Sequence, residues 1–290
     1  MRMRRTATRT AGERTHAERL ASNNGYFSPE SVIRRIGNSP LIPFLGGGPA
    51  VLLQVAHPLV AYGVVRHSDY RRDLWRRLGR TLWALYLITF GSRQEAERAG
   101  EAVQAVHTRV QGTTDVRLGR FPPGTAYSAG DPDLQLWVHA TLVHSSLEVY
   151  ERFVHRLSTE DRERYYREMS IVAGLVGVPQ QALASSLAEF REYFDAQIAG
   201  DTIAVTEPAR AVARVILDAS LPAPMQLLVP AHRLATAGLL PPRLRQEYGL
   251  RWSSLHEFAL PLAARSLWIT TTPALIAASR ISPLPRLLPA

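Results

Sequence analysis

Apolar residues recur at helical spacing along most of the chain, and where the spacing stops the sequence carries cap and turn residues. The most sharply punctuated stretch runs from Asp69 to Gly112. Leu74, Leu78, Leu82 and Leu85 mark one helix, entered through Ser68 or Asp69 and stopped by Gly91. Ser92 followed three residues later by Glu95 has the capping-box pattern, and Val103, Val106 and Val110 carry an apolar stripe on to Gly112. The spacing predicts a helical hairpin with His107 inside the stripe of its second arm.

Counting outward from a turn between Gly91 and Ser92, in antiparallel helices, sets His107 level with Arg76 and Arg77. Arg77, Arg80 and Thr81 share one face of the first arm, being spaced i, i+3 and i+4. A flat cofactor inserted between the arms would meet an axial nitrogen on one side and hydrogen-bond donors on the other. The plainer alternatives are a histidine satisfied within the core and a solvated arginine face.

Upstream, Ser28 to Ile36 reads as a short helix entered through Pro29. The run Gly46, Gly47, Gly48 before Pro49 lacks the spacing of a dinucleotide loop and has no lysine after it, so a phosphate cradle is not expected. It suits a backbone passing close to something bulky, either a neighbouring helix or a macrocycle. His57 directly before Pro58 predicts a kink or break, where His57 either serves a pocket as a proton-handling group or caps the break. His67 is placed to cap the following helix.

Downstream, Gly119 to Gly130 is a loop, and Asp131 with Pro132 opens a helix to about Val154. His139 and His144 ride on it five residues apart, off any shared metal-facing stripe. Ser158 with Asp161 opens the next helix, ending near Leu175 before Gly177 and Pro179. Leu183 to Ile198 repeats the pattern, Thr206 with Pro208 starts a helix to Ala219, and prolines then cut the chain into short helices. The tail from His256 to Ser279 is amphipathic, which allows packing on the core or lying on a membrane surface, with packing favoured. No stretch alternates with period two for long. The expected fold is all-α, a single-domain helical bundle over residues 23–290 behind a basic arm at 1–22.

Composition narrows the chemistry. The chain has no cysteine, which removes disulfides, zinc-thiolate sites, iron–sulfur clusters and thiolate-held or covalently attached haem. All 34 basic residues are arginine, so a Schiff-base lysine and a Walker-type loop are absent as well. Histidine is left for metal or proton work. Of the formal charge of +9, residues 1–20 supply +4 from six Arg and two Glu, leaving +5 over the other 270 positions. A basic arm accounts for this better than a specific nucleic-acid site. Arg4 and Arg5 precede no apolar segment, so no export signal is read and a cytoplasmic protein is expected, with peripheral membrane contact left open.

The segments GGGPAVLLQVAHPLVA at 46–61, HSDY at 67–70, RLGRT at 77–81, VHTRVQG at 106–112 and YSAGDPDLQLWVHATL at 127–142 resemble the catalytic domain of rubber oxygenases. That family also includes the oxygenase that cleaves a farnesyl chain in mycophenolic acid biosynthesis, and the resemblance covers roughly residues 25–275. It implies a globin-like helical core holding non-covalent haem b, with O2 used to cleave C=C bonds of isoprenoid chains. By motif, His107 matches the proximal iron ligand, and Arg77 and Thr81 match the arginine and threonine beside the haem. Arg80 stands where latex-clearing proteins place a lysine able to cap the distal iron position, and a guanidinium has no lone pair for that role.

The expected reading is a haem b-dependent oxygenase acting on a small hydrophobic substrate with O2. His107 would bind the iron, Arg77, Arg80 and Thr81 would hold haem or bound oxygen, and His57 would handle a distal proton. Val51, Leu52 and Trp83 are candidates for an apolar pocket, or for ordinary core. The alternatives are a haem peroxidase or hydroxylase, and a haem-free helical module that binds lipids or a partner.

Overall fold

The computed structural model describes residues 18–19, 24–68, 74–218, 226 and 229–265, with residues 74–77 described by their backbone. Asp69, most of the basic arm, Ala219 and the tail beyond Arg265 lie outside the described residues. The elements in order are α1 (Val32–Gly37), a π-helical turn (Ile42–Gly46) running into α2 (Gly47–Val55), α3 (Pro58–His67), α4 (Leu74–Phe90) and α5 (Arg93–His107). A short hairpin of β1 (Gln111–Thr113) and β2 (Ala126–Ser128) leads to α6 (Pro132–Phe153) and α7 (Thr159–Leu175). Then follow a 3-10 turn (Gln180–Ala182), α8 (Leu187–Ala199), α9 (Glu207–Leu217), α10 (Val229–Gly238) and α11 (Pro242–Glu247). A last helix, α12, occupies 254–265. The protein is largely all-α, as the periodicity predicts.

Side-chain caps fix five of the helix starts. Ser92 Oγ accepts from the Glu95 amide at 3.3 Å while Glu95 Oε2 accepts from the Ser92 amide at 2.7 Å, a reciprocal box at the head of α5. Asp131 accepts from the amides of Asp133 (2.9 Å) and Leu134 (3.4 Å) to start α6, and Ser158 accepts from Asp161 (3.0 Å) to start α7. Gly177, at φ +103°, turns the chain after α7.

Three boundaries differ from the sequence expectation. The first helix starts at Val32 behind Ser31 rather than at Ser28. Helix α8 starts at Leu187, because Ser186 caps it through the Glu189 amide and the preceding residues form the 3-10 turn. Helix α5 stops at His107 instead of Gly112, and residues 111–113 pair antiparallel with 126–128 in the register Gly112 to Tyr127. Val106 is therefore 59% exposed rather than part of a buried stripe; the buried face of α5 is Ala96, Ala99 and Gly100.

The break at His57–Pro58 bends α3 by 104° from the π-turn and α2 segment. Four carbonyls at the end of α2 find donors from elsewhere in the fold. Leu52 O accepts from Tyr248 Oη at 2.7 Å, Leu53 O and Gln54 O from Trp137 Nε1 at 3.2 and 3.3 Å, and Ala56 O from the Ala204 amide at 2.9 Å. Trp137 thereby pins the central helix α6 to the corner, within a core that includes Leu52, Leu53, Ile88, Val143 and Phe194. The glycine run serves a helix neighbour. A Cβ on Gly48 would stand 2.9 Å from His232 Cε1 and closer still to Thr236 Oγ1, both on α10. Among the described residues no single helix is long and apolar enough to cross a bilayer.

Candidate functional site

Helices α4 and α5 pack as the expected antiparallel hairpin about Gly91–Ser92. The fifteen residues of α5 run back beside α4, so at equal rise its last residue, His107, stands level with about Arg76. Arg77 is in α4, and its side chain lies outside the described residues. Arg80 and Thr81 are exposed on the same stretch. Trp83, 39% exposed, stacks on Tyr86 with ring centroids 5.3 Å apart, an aromatic surface on the side of α4 away from Thr81. Val51 and Leu52 do not join it. Leu52 is fully buried on α2, which packs against α6, α9 and α10, whereas α4 packs on α5 and α1.

The His107 ring is half-buried, and desolvation pushes its pKa below the ordinary histidine value, so it is a neutral imidazole at pH 7. Its Nδ1 lies 3.5 Å from the side-chain amide of Gln135, one turn into α6. Among the described residues its Nε2 has no hydrogen-bond partner. Gln135 lay inside a quoted motif but carried no sequence signal of its own. It reaches His107 because the β-hairpin folds the start of α6 back against the end of α5.

His57 caps the break. The Leu59 amide donates to its Nδ1 at 3.3 Å, and the ring packs on Phe121 at 5.6 Å. Since Nδ1 accepts, the neutral ring carries its proton on Nε2. Burial lowers the pKa to about 4, and Asp131, the cap of α6, pulls weakly the other way. His107 thus abuts the first turn of α6 through Gln135, while His57 feels the charge of Asp131 at the head of the same helix.

His67 ends α3, and the start of the helix it is expected to cap lies outside the described residues; its Nε2 lies 2.8 Å from Tyr127 Oη, across from the hairpin strand. Next to it Tyr62 Oη donates to Asp115 at 2.7 Å and accepts from Arg66 Nε at 3.0 Å. His139 is buried on α6 with Nε2 unpartnered, and His144 stacks on Phe194 at 4.1 Å. Burial lowers both to about 4. Among the described residues no three His, Asp or Glu side chains converge as a metal site. A surface cleft of about 410 Å³ at the α6–α7 junction is lined by Glu148, Glu151, Arg152, Arg156, Arg162 and Glu257. Arg162–Glu151 (2.6 Å) and Arg152–Glu257 pair within it, so it is an ion-pair groove away from the hairpin.

Residues 34–270 match the family model of the ER-bound oxygenase mpaB/B' and rubber oxygenase catalytic domain. Two curated proteins, both named as uncharacterized and from Mycobacterium bovis and Mycobacterium tuberculosis, are each 28% identical over 214 residues, covering 71% of this chain and 80% of the relative. No solved structure matches the chain significantly.

Proposed function

The chain belongs to the mpaB/rubber oxygenase catalytic-domain family, and from that premise we propose that it is a haem b-dependent oxygenase acting with O2 on C=C bonds of a hydrophobic, isoprenoid-like substrate. The observation that carries the reading is His107, a neutral imidazole at the end of α5 with Nε2 unengaged among the described residues, level with about Arg76 of α4, where the Arg77–Thr81 stretch begins.

The donor set fits such a group. With no cysteine and no lysine in the chain, thiolate and amine ligation are absent and an imidazole suits the iron, and desolvation keeps the His107 lone pair free of a proton. When bound, haem iron supplies O2 binding and activation. His107 would hold the iron through Nε2. Gln135 would fix the tautomer: a half-turn of its amide, whose O and N are interchanged by such a flip, lets the carbonyl oxygen accept Nδ1–H and aims the Nε2 lone pair outward. Arg80 and Arg77 would bind the anionic propionates rather than the iron. Thr81 would add a hydroxyl donor on the same face as Arg77.

His57 would act as a donor. Its proton sits on Nε2 and its pKa near 4 makes it a poor base at neutral pH, so it would hold a hydrogen bond toward a polar ligand atom rather than abstract a proton. A globin-like arrangement of helices around the haem belongs to the same reading.

The test is an absorbance spectrum of the protein purified with haem supplied. A Soret band that His107→Ala removes supports the assignment. A parent protein without the band favours the haem-free lipid- or partner-binding alternative, and a band unaltered by His107→Ala sinks the ligand assignment. Incubating the haem-loaded protein with a polyisoprene oligomer and labelled O2 separates C=C cleavage, which puts label into carbonyl products, from peroxidase or hydroxylase chemistry.

A further inference from the structure

Helix α12 turns one face inward and a different apolar face outward. Leu260 and Ala264, at i and i+4, are buried against Leu41, Leu45 and Val149. Leu255, Phe258 and Leu262, at i, i+3 and i+7, form a ridge on the opposite side and are 73%, 69% and 52% exposed. A helix held only by its inward stripe would ordinarily carry polar residues outside. Here the outer face costs solubility without contributing to the core, which calls for an outside partner.

We propose that this ridge of α12 is a docking surface for an anionic lipid membrane. The charge distribution favours that occupant. Arg251 and Arg265 are exposed at the two ends of the helix. The only acid on the helix, Glu257, is on the inner flank, where it pairs with Arg152 and accepts from Trp252 Nε1 at 2.9 Å. The outward ridge therefore holds apolar side chains and no carboxylate, with an exposed arginine near each end of the helix, the pattern of a helix lying in a headgroup layer.

The sequence that follows is of the same kind. Residues 266–290 contain no Asp or Glu, two Arg and nine large apolar residues, beginning with Leu267, Trp268 and Ile269. A second copy of the chain fits the ridge less well. Three side chains expose on the order of a few hundred Å², against roughly 800 Å² per partner in a standard protein interface.

The docking stands apart from the haem reading, because it needs no cofactor. Its test is flotation of the full-length protein with vesicles of phosphatidylcholine, with and without phosphatidylglycerol. The parent is expected to float with the anionic vesicles, to float far less with neutral ones, and to be released as salt is raised. Leu255→Ser with Phe258→Ser is expected to lower anionic-vesicle partitioning roughly tenfold or more while leaving the melting temperature in place, since both side chains are solvent-exposed. No flotation of the parent with either vesicle overturns the proposal. So does a double variant that floats as well as the parent, or a parent dimer that the double variant dissociates.

Discussion

Gln135 on α6 holds its side-chain amide 3.5 Å from Nδ1 of His107 at the end of α5, so that imidazole meets a side chain 28 residues further along the chain. In the proposed site, an iron ligand and its outer partner would come from two different elements. Replacing His107 by Ala is expected to abolish haem retention. Gln135→Leu is expected to weaken haem affinity by about 10- to 100-fold, and Gln135→Glu to lower the iron reduction potential by increasing imidazolate character. Haem titration and spectroelectrochemistry measure these effects, and a Gln135→Leu protein with parental affinity and potential would show that the contact is incidental.

Arg80 offers a second probe of the same site. It is exposed on α4 and cannot ligate iron, whereas a lysine there could present an amine. Arg80→Lys is expected to convert part of the ferric spectrum to a six-coordinate, low-spin form at alkaline pH. A spectrum identical to the parent from neutral to alkaline pH would place residue 80 away from the iron.

Acid should unfold the protein early. His57, His139 and His144 titrate at about 4 in the folded chain against an ordinary value of 6.5. The folded pKa lies below the unfolded one, so the unfolded chain binds more protons and stability falls as pH drops from 6.5 toward 4. Each imidazole contributes at most roughly 3 kcal/mol of this loss at the acid end of the window. A series of melting temperatures from pH 7 to pH 4 is expected to fall steeply, and His139→Leu to flatten the slope.

The close approach at Gly48 predicts a packing defect. A methyl there meets the His232 ring at 2.9 Å and the Thr236 hydroxyl, both on a packed helix, so Gly48→Ala is expected to destabilise by about 1–3 kcal/mol. Gly47 has nothing within 4 Å of an added Cβ and is helical, so Gly47→Ala is expected to be neutral or stabilising by up to about 1 kcal/mol. Chemical denaturation of the pair distinguishes the two sites.

Local chemistry was readable wherever a cap or a breaker acts over a few residues. The Ser92–Glu95 box, the Asp131 and Ser158 caps and the corner at Pro58 are all interactions within about one turn of chain, and their residues are legible as written; the tight Gly91–Ser92 turn makes the α4–α5 hairpin legible too. The all-α class followed from the same periodicity. The end of α5 was not legible: Val110 and Gly112 continue the helical pattern, and only pairing of residues 111–113 with 126–128 ends the helix at His107. The glycine run admitted two bulky neighbours, and packing of α10 against α2 decided for a helix.

The sequence by itself determined which segments are helical, where α5, α6, α7 and α9 begin, and that no thiolate or amine competes with histidine as a donor. Tertiary structure alone decided that Gln135 faces that histidine, that Leu52 is core while Trp83 is exposed, and that α12 buries Leu260 but leaves Phe258 outside. Caps and periodicity are settled by neighbours a turn away. Which apolar face is covered, and which side chain meets an imaginary partner's position across a cleft, depends on how distant helices stack, which spacing along the chain does not encode.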